Sequence, residues 1–364
     1  MLSDPRNPDG SRGVRSRVRS VLRTGNWRYV ALAGTVVGGL VLALIALGGP
    51  NPHPARQQPS DQAASQQPHD QAGKGGTACA HGPGLSFVAT DTSREQIYFL
   101  DARRASPAVQ VVDLPGIVSD PAWSPDGRRV AFRWYQRGRP APDVYVANAD
   151  GSHLRLLVKE AAMPDWSPDG RLIAFANLHI GSRGISVVNV AQALREVDAT
   201  RVVTRTDDDV PEELPAWSPD GELIAFTSQR GGNSDIWTVA VDGSHLRNLT
   251  TEEFALESDP SWSPDGAHIA FGSNRASSSK WGGDIYVMGT DGRDVRRITF
   301  DDSAYAPAWS PDGCGIAFNS GMSGTSQIYV MRPDGSDIEQ LTTSRPDAHG
   351  DPTIACCPAW VVSD

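Results

Sequence analysis

From residue 85 onward the apolar positions fall in very short runs, separated by turn sequences that recur with little change. The string W-S-P-D-G begins at Trp123, Trp166, Trp217, Trp262 and Trp309, and Pro-Ala-Trp at Trp360 is a truncated sixth copy. The intervals are 43, 51, 45, 47 and 51 residues. Two residues after each full copy comes an apolar triplet: Val130-Ala131-Phe132, Ile173-Ala174-Phe175, Ile224-Ala225-Phe226, Ile269-Ala270-Phe271 and Ile316-Ala317-Phe318. Leu85-Ser86-Phe87 is a sixth triplet without the preceding string. A second run follows each triplet, as in Ile97-Tyr98-Phe99, Val144-Tyr145-Val146, Ile236-Trp237-Thr238 and Ile285-Tyr286-Val287. Asp-Gly turns at Asp150, Asp242, Asp291 and Asp334 then lead to a short outer strand. Ser-Pro-Asp-Gly is a turn for physical reasons, since Pro presets φ, Asp favours the bend and Gly accepts positive φ.

Each unit therefore predicts four short strands, and four-stranded units of 40–50 residues predict an all-β fold, a β-propeller in which stacked blades supply one another's core. The expected number of blades is six. The N-terminal unit lacks an inner strand and the C-terminus has one left over, Pro358-Ala359-Trp360-Val361-Val362, so the two ends of the chain are expected to share a blade. The third unit is degenerate, with Val188-Asn189-Val190-Ala191 where others have Asp-Gly.

W-S-P-D-G-x-x-I-A-F followed by D-I-Y-V-M, with D-G-S before the outer strand, resembles the TolB-type WD40-like (PD40) β-propeller repeat. The resemblance covers residues 85–362 and rests on five near-complete copies. It implies a propeller and specifies no activity. In that family an α/β domain precedes the propeller, whereas here an anchor and a linker are expected in its place.

Residues 29–48 are 20 uncharged, largely apolar residues, about 30 Å as a helix and enough to span a bilayer. Seven Arg precede them, so the positive-inside rule predicts a cytoplasmic tail (residues 1–28), a single-pass transmembrane helix (29–48) and export of everything after it. The alternative is a cleaved signal peptide ending near Ala46-Leu47-Gly48. Residues 49–78, with five Pro and six Gln, read as a flexible, disordered linker, and residues 79–364 as the propeller.

Charge narrows the function. The chain carries −10 overall; the tail holds +5 and the linker is neutral, leaving −15 on residues 79–364. So acidic a body is a poor partner for nucleic acid. Much of that charge falls in the segments that link one blade's outer strand to the next blade's inner strand. Asp120, Asp207, Asp208, Asp209, Glu213, Glu257, Asp259, Asp301 and Asp302 are the candidate binding residues, with Asp120 and Asp259 each directly before Pro-x-Trp. The motif residues Asp126, Asp169, Asp220, Asp265 and Asp312 are expected to serve the turn itself, and the motif tryptophans to pack between blades. No G-x-S-x-G, H-E-x-x-H or phosphate-binding Gly loop is present, and no catalytic residue is assigned.

The expected function is a membrane-anchored, extracytoplasmic propeller that binds a protein or peptide of the cell envelope without catalysis. One alternative is a propeller hydrolase or lyase using a divalent cation at the acidic channel mouth; another is an extracytoplasmic sensor domain. No cofactor is expected beyond such a cation, calcium being one candidate. Four cysteines suit an exported body. At least one disulfide is expected among Cys79, Cys314, Cys356 and Cys357, either Cys79 with one of the adjacent pair or Cys79 with Cys314.

Overall fold

Every Ser-Pro-Asp-Gly turn closes with the same hydrogen bonds. The Ser167 hydroxyl donates to Asp169 Oδ1 (2.6 Å) and accepts from the Leu172 amide (2.9 Å), while the Gly170 amide donates to the Ser167 carbonyl (2.8 Å). Ser124, Ser218, Ser263 and Ser310 repeat the set at their own turns. The turns set the register of the hairpins beyond them, and the body of the protein is built from those hairpins. The computed structural model describes residues 84–91, 94–101, 108–195, 199–206, 210–252, 254–277, 283–343 and 354–361. The expected tail (1–28), membrane helix (29–48) and linker (49–78) lie outside the described residues. Among the described residues no helix is long and apolar enough to cross a membrane.

Among the described residues the strands form four sheets of four and one of eight. Glu212–Trp217, Leu223–Ser228, Asp235–Ala240 and Arg247–Asn248 are one four-stranded sheet, antiparallel and in chain order. The eight-stranded sheet divides at a single parallel bridge, Glu95 with Ile117, into two antiparallel halves. In one half the C-terminal strand Ile354–Val361 pairs with Gly84–Asp91, setting Leu85 opposite Trp360. The sharing of one sheet by the two ends is thus observed.

The inner strands Ile117–Trp123, Ala161–Trp166, Glu212–Trp217, Glu257–Trp262, Ala304–Trp309 and Ile354–Val361 each touch the next, and the last touches the first. The core lies between neighbouring sheets. Phe132, Phe175, Phe226, Phe271 and Phe318, one from each triplet that follows a full W-S-P-D-G copy, are fully buried, each contributing about 1.5–3 kcal/mol. A single cluster joins Ala174, Ile185 and Val187 of one sheet to Trp217, Ile224 and Phe226 of the next.

Five of the six motif tryptophans fasten this stacking through the indole N–H, Trp309 being the exception. Trp166 Nε1 donates to the Ala122 carbonyl (3.1 Å), Trp217 to Asp165 (3.2 Å), Trp262 to Ala216 (3.1 Å) and Trp360 to Ala308 (2.9 Å). At the seam Trp123 Nε1 donates to Ser86 Oγ (2.8 Å), which donates on to the Ala359 carbonyl (3.2 Å). The Asp-Gly turns press equally close: a Cβ on Gly243 (φ +90) would lie 2.8 Å from the Val203 carbonyl oxygen. The degenerate third unit replaces this turn with one helical turn, Val190–Ala193, capped by the Asn189 side chain.

Candidate functional site

All six inner strands carry the same irregularity. Asp120, Met163, Leu214, Asp259, Ala306 and Cys357, each directly before Pro-x-Trp, have φ between +49 and +58. A shift in strand register brackets each position. A non-glycine residue in this left-handed region costs on the order of 1–2 kcal/mol and persists only where its surroundings impose it. The bulge takes the side chains at these positions out of the regular pleat, and Asp120, Asp259 and Cys357, from three different inner strands, interact electrostatically.

Three of the candidate acids meet there. Burial, then the Asp120 and Asp259 carboxylates, push the Glu213 carboxyl up. Asp259 is raised mainly by burial and further by Asp120, against the hydrogen bond that Ser258 Oγ donates to its Oδ2 (2.7 Å). Arg183 also acts on Glu213, but the main opposing charge is Arg133, which is buried. Its Nε lies 3.0 Å from Asp120 Oδ2, yet its donors are directed at Ser119 Oγ (2.9 and 2.6 Å), so the Asp120 contact is ionic and not a directed hydrogen bond. Glu95, from the strand across the parallel bridge, feels the same two charges and is raised chiefly by burial.

The remaining candidates go elsewhere. Glu257 is fully buried and paired with Arg275 (3.0 Å) and Ser273 Oγ (3.0 Å) within its own sheet. Glu212 holds the matching place one sheet earlier, with Arg230, Ser228 and Thr204. Asp301 accepts from Ser303 and Ser320 (2.6 Å), and Asp302 lies 3.3 Å from Arg297. Glu212, Glu257 and Asp301 tie strand starts to the neighbouring strand of their own sheets, whereas Asp302 reaches Arg297 of the preceding sheet. Asp207, Asp208 and Asp209 lie outside the described residues. Among the described residues no three His, Cys, Asp or Glu side chains are grouped so as to hold a metal ion. Cys314 is disulfide-bonded, Cys356 and Cys357 are free, and Cys79 lies outside the described residues.

Two features escaped the sequence reading. Asp165 stands where other inner strands have Ala122, Ala216 or Ala308; its Oδ2 accepts the Trp217 amide (2.8 Å), and burial pushes its carboxyl up to about 7. The second is apolar. Phe254 is 90% exposed and Phe300 75% exposed, in the equivalent segments leading into Glu257–Trp262 and Ala304–Trp309. Leu256, beside Phe254, and Met322, in the hairpin between Ile316–Ser320 and Gln327–Met331, are also exposed and lie at the same end of the strands. A lone aromatic beside a pair of acidic residues in a connector was the available signal, as in Glu252-Glu253-Phe254 and Phe300-Asp301-Asp302.

Residues 162–356 match the TolB beta propeller domain family. A curated relative, the Tol-Pal system protein TolB of Bordetella pertussis, is 30% identical over 238 residues, covering 65% of this chain and 48% of the relative. The chain thus spans about half the length of the curated relatives it matches. Among solved structures, TolB from Acinetobacter baumannii superposes with a TM-score of 0.62 at 20% identity, over 77% of this chain and 67% of that one. A putative TolB from Agrobacterium tumefaciens gives 0.56 at 23% identity, over 71% and 88%. At these identities the structures speak for the fold alone.

Proposed function

Because the chain belongs to the TolB beta propeller domain family, we propose that it is a non-catalytic protein- or peptide-binding module of the cell envelope. In this reading the propeller is a six-bladed ring, residues 79–364, carried outside the cytoplasm on a single membrane helix (29–48) and a linker (49–78). The cyclic order of the inner-strand contacts supports the blade count. The membrane placement is supported by the charge and hydropathy of residues 1–48. The curated relatives' part in a Tol-Pal system supports an envelope partner.

The observation that carries the proposal is the exposure of Phe254, Leu256, Phe300 and Met322 at the connector end of neighbouring sheets. Large apolar side chains grouped on a surface mark interaction sites, and aromatics dominate the binding energy of such patches. The acidic cluster of Asp120, Glu213 and Asp259 then serves to orient a partner and raise its association rate more than to hold it.

The test is a photo-crosslinking amino acid placed at position 254 or 300 of the full-length protein in its own membrane, with position 242, on an Asp-Gly turn, as the control. Crosslinks to one envelope protein from 254 and 300, absent from 242, are the expected result. Equal crosslinking from all three positions, or from 242 alone, overturns the assignment.

A further inference from the structure

Successive side chains of a regular strand point to opposite faces, which keeps adjacent cysteines apart. In the inner strands of this protein the left-handed bulge cancels that alternation. Ser258 Oγ reaches the Asp259 carboxylate at 2.7 Å, and Ser119 and Asp120 both contact Arg133. The same bulge falls at Cys357 (φ +58) in the strand that closes the ring, and the preceding residue is Cys356. Their sulfurs are in direct contact, both residues are only partly buried, and both are free although Cys314 of the same body is disulfide-bonded. The backbone creates this pair, because five other inner strands adopt the conformation with other residues.

We propose that Cys356 and Cys357 are a redox-active vicinal dithiol, an oxidative modification site that reacts with disulfide oxidants, either low-molecular-weight disulfides or the disulfide of a thiol oxidoreductase. The thiolate of Cys356 attacks one sulfur of the oxidant, forming a mixed disulfide and expelling one oxidant thiolate. The thiol of Cys357 then loses its proton and attacks the Cys356 sulfur, closing a Cys356–Cys357 disulfide and releasing the second oxidant thiol. Two electrons pass to the oxidant, which leaves as two thiols, and no atom of it remains on the protein. Cys356 takes the first step because its hydrogen bond, burial and the Asp120 and Asp259 carboxylates hold the Cys357 thiol well above the usual range. The order also follows from proximity: a second thiol already in contact outcompetes any thiol arriving from solution. Cys356 lies opposite Val88 in the seam, so the modification falls on the strand pair that joins the two ends of the chain.

Full-length protein in detergent, treated with oxidised glutathione and digested without reduction, gives the direct test. Mass spectrometry is expected to find the peptide spanning residues 356 and 357 lighter by two hydrogens, with no glutathione on it. Cys357→Ser is expected instead to stop at a stable glutathione adduct on Cys356, and Cys314→Ser to leave the vicinal product unchanged. Glutathione retained on both cysteines of the wild-type chain overturns the proposal. So does an unmodified pair, or a bond from either residue to Cys79 or Cys314. The wild-type measurement stands alone should a variant fail to fold.

Discussion

At the scale of single residues, the motif serine and aspartate act as one unit. Ser218 Oγ is the acceptor for the Leu223 amide, a donor that has no other outlet inside the turn. Ser218→Ala is expected to lower the unfolding free energy by about 1–3 kcal/mol, the range for an orphaned buried donor, as read by urea denaturation. The carboxyls of Asp126, Asp169, Asp220 and Asp265 are held below their ordinary range, first by the serine hydroxyl of each turn. Their contribution is present above the ordinary carboxylate range and is lost as pH falls through the lowered values. Asp165 runs the other way. Between its unfolded value and about 7 the native state keeps a proton that the unfolded chain releases, so stability falls as pH rises through that window. Asp165→Asn, which retains an oxygen for the Trp217 amide, is expected to raise the thermal midpoint at pH 8 and leave it unchanged near pH 4. A midpoint equally raised at both pH values would show that packing, and not the proton, is responsible. The turn residues were legible because a tight turn admits few sequences. Asp165 was not, because a polar residue in an Ala position becomes informative only once its buried partner is known.

Among strands, the elements were legible in the sequence, while the direction in which several acids turn was not. Glu257 reads as a connector carboxylate because it begins an inner strand, and a strand start gives no sign of which way the side chain turns. The partners lie at fixed intervals, Ser228 and Arg230 after Glu212, Ser273 and Arg275 after Glu257. That repeated offset, invisible in either copy alone, was the available signal. Removing one member of a buried pair leaves the other charge uncompensated, at a cost of about 3–5 kcal/mol. Arg275→Ala is therefore expected to destabilise by about that much, and Glu257→Gln with Arg275→Ala by less than Arg275→Ala alone. A double mutant at least as unstable as Arg275→Ala would show that Arg275 acts through packing, for instance through its stacking on the Phe271 and Tyr286 rings. The six left-handed bulges could not be anticipated, since Met163, Leu214 and Ala306 are residues that local preference keeps out of that conformation.

For the whole molecule, the spare inner strand at the C-terminus and the missing one at the N-terminus were enough to foresee the shared sheet. Trp360 and Val361 are buried in it, contributing about 4 kcal/mol together. Deleting residues 354–364 uncovers the strand Gly84–Asp91, and the calorimetric midpoint is expected to fall by about 10 °C and the transition to broaden. An unchanged sharp transition would mean that the other sheets hold the body without closure. The same seam also fixes when the fold is finished. The Ser86 hydroxyl meets the Ala359 carbonyl across 273 positions of chain, so this contact waits on the synthesis of the strand Ile354–Val361, whatever else has already formed. During synthesis, Leu85 and Phe87 travel ahead with one edge bare, and the nascent body depends on whatever shields that edge until the strand Ile354–Val361 arrives.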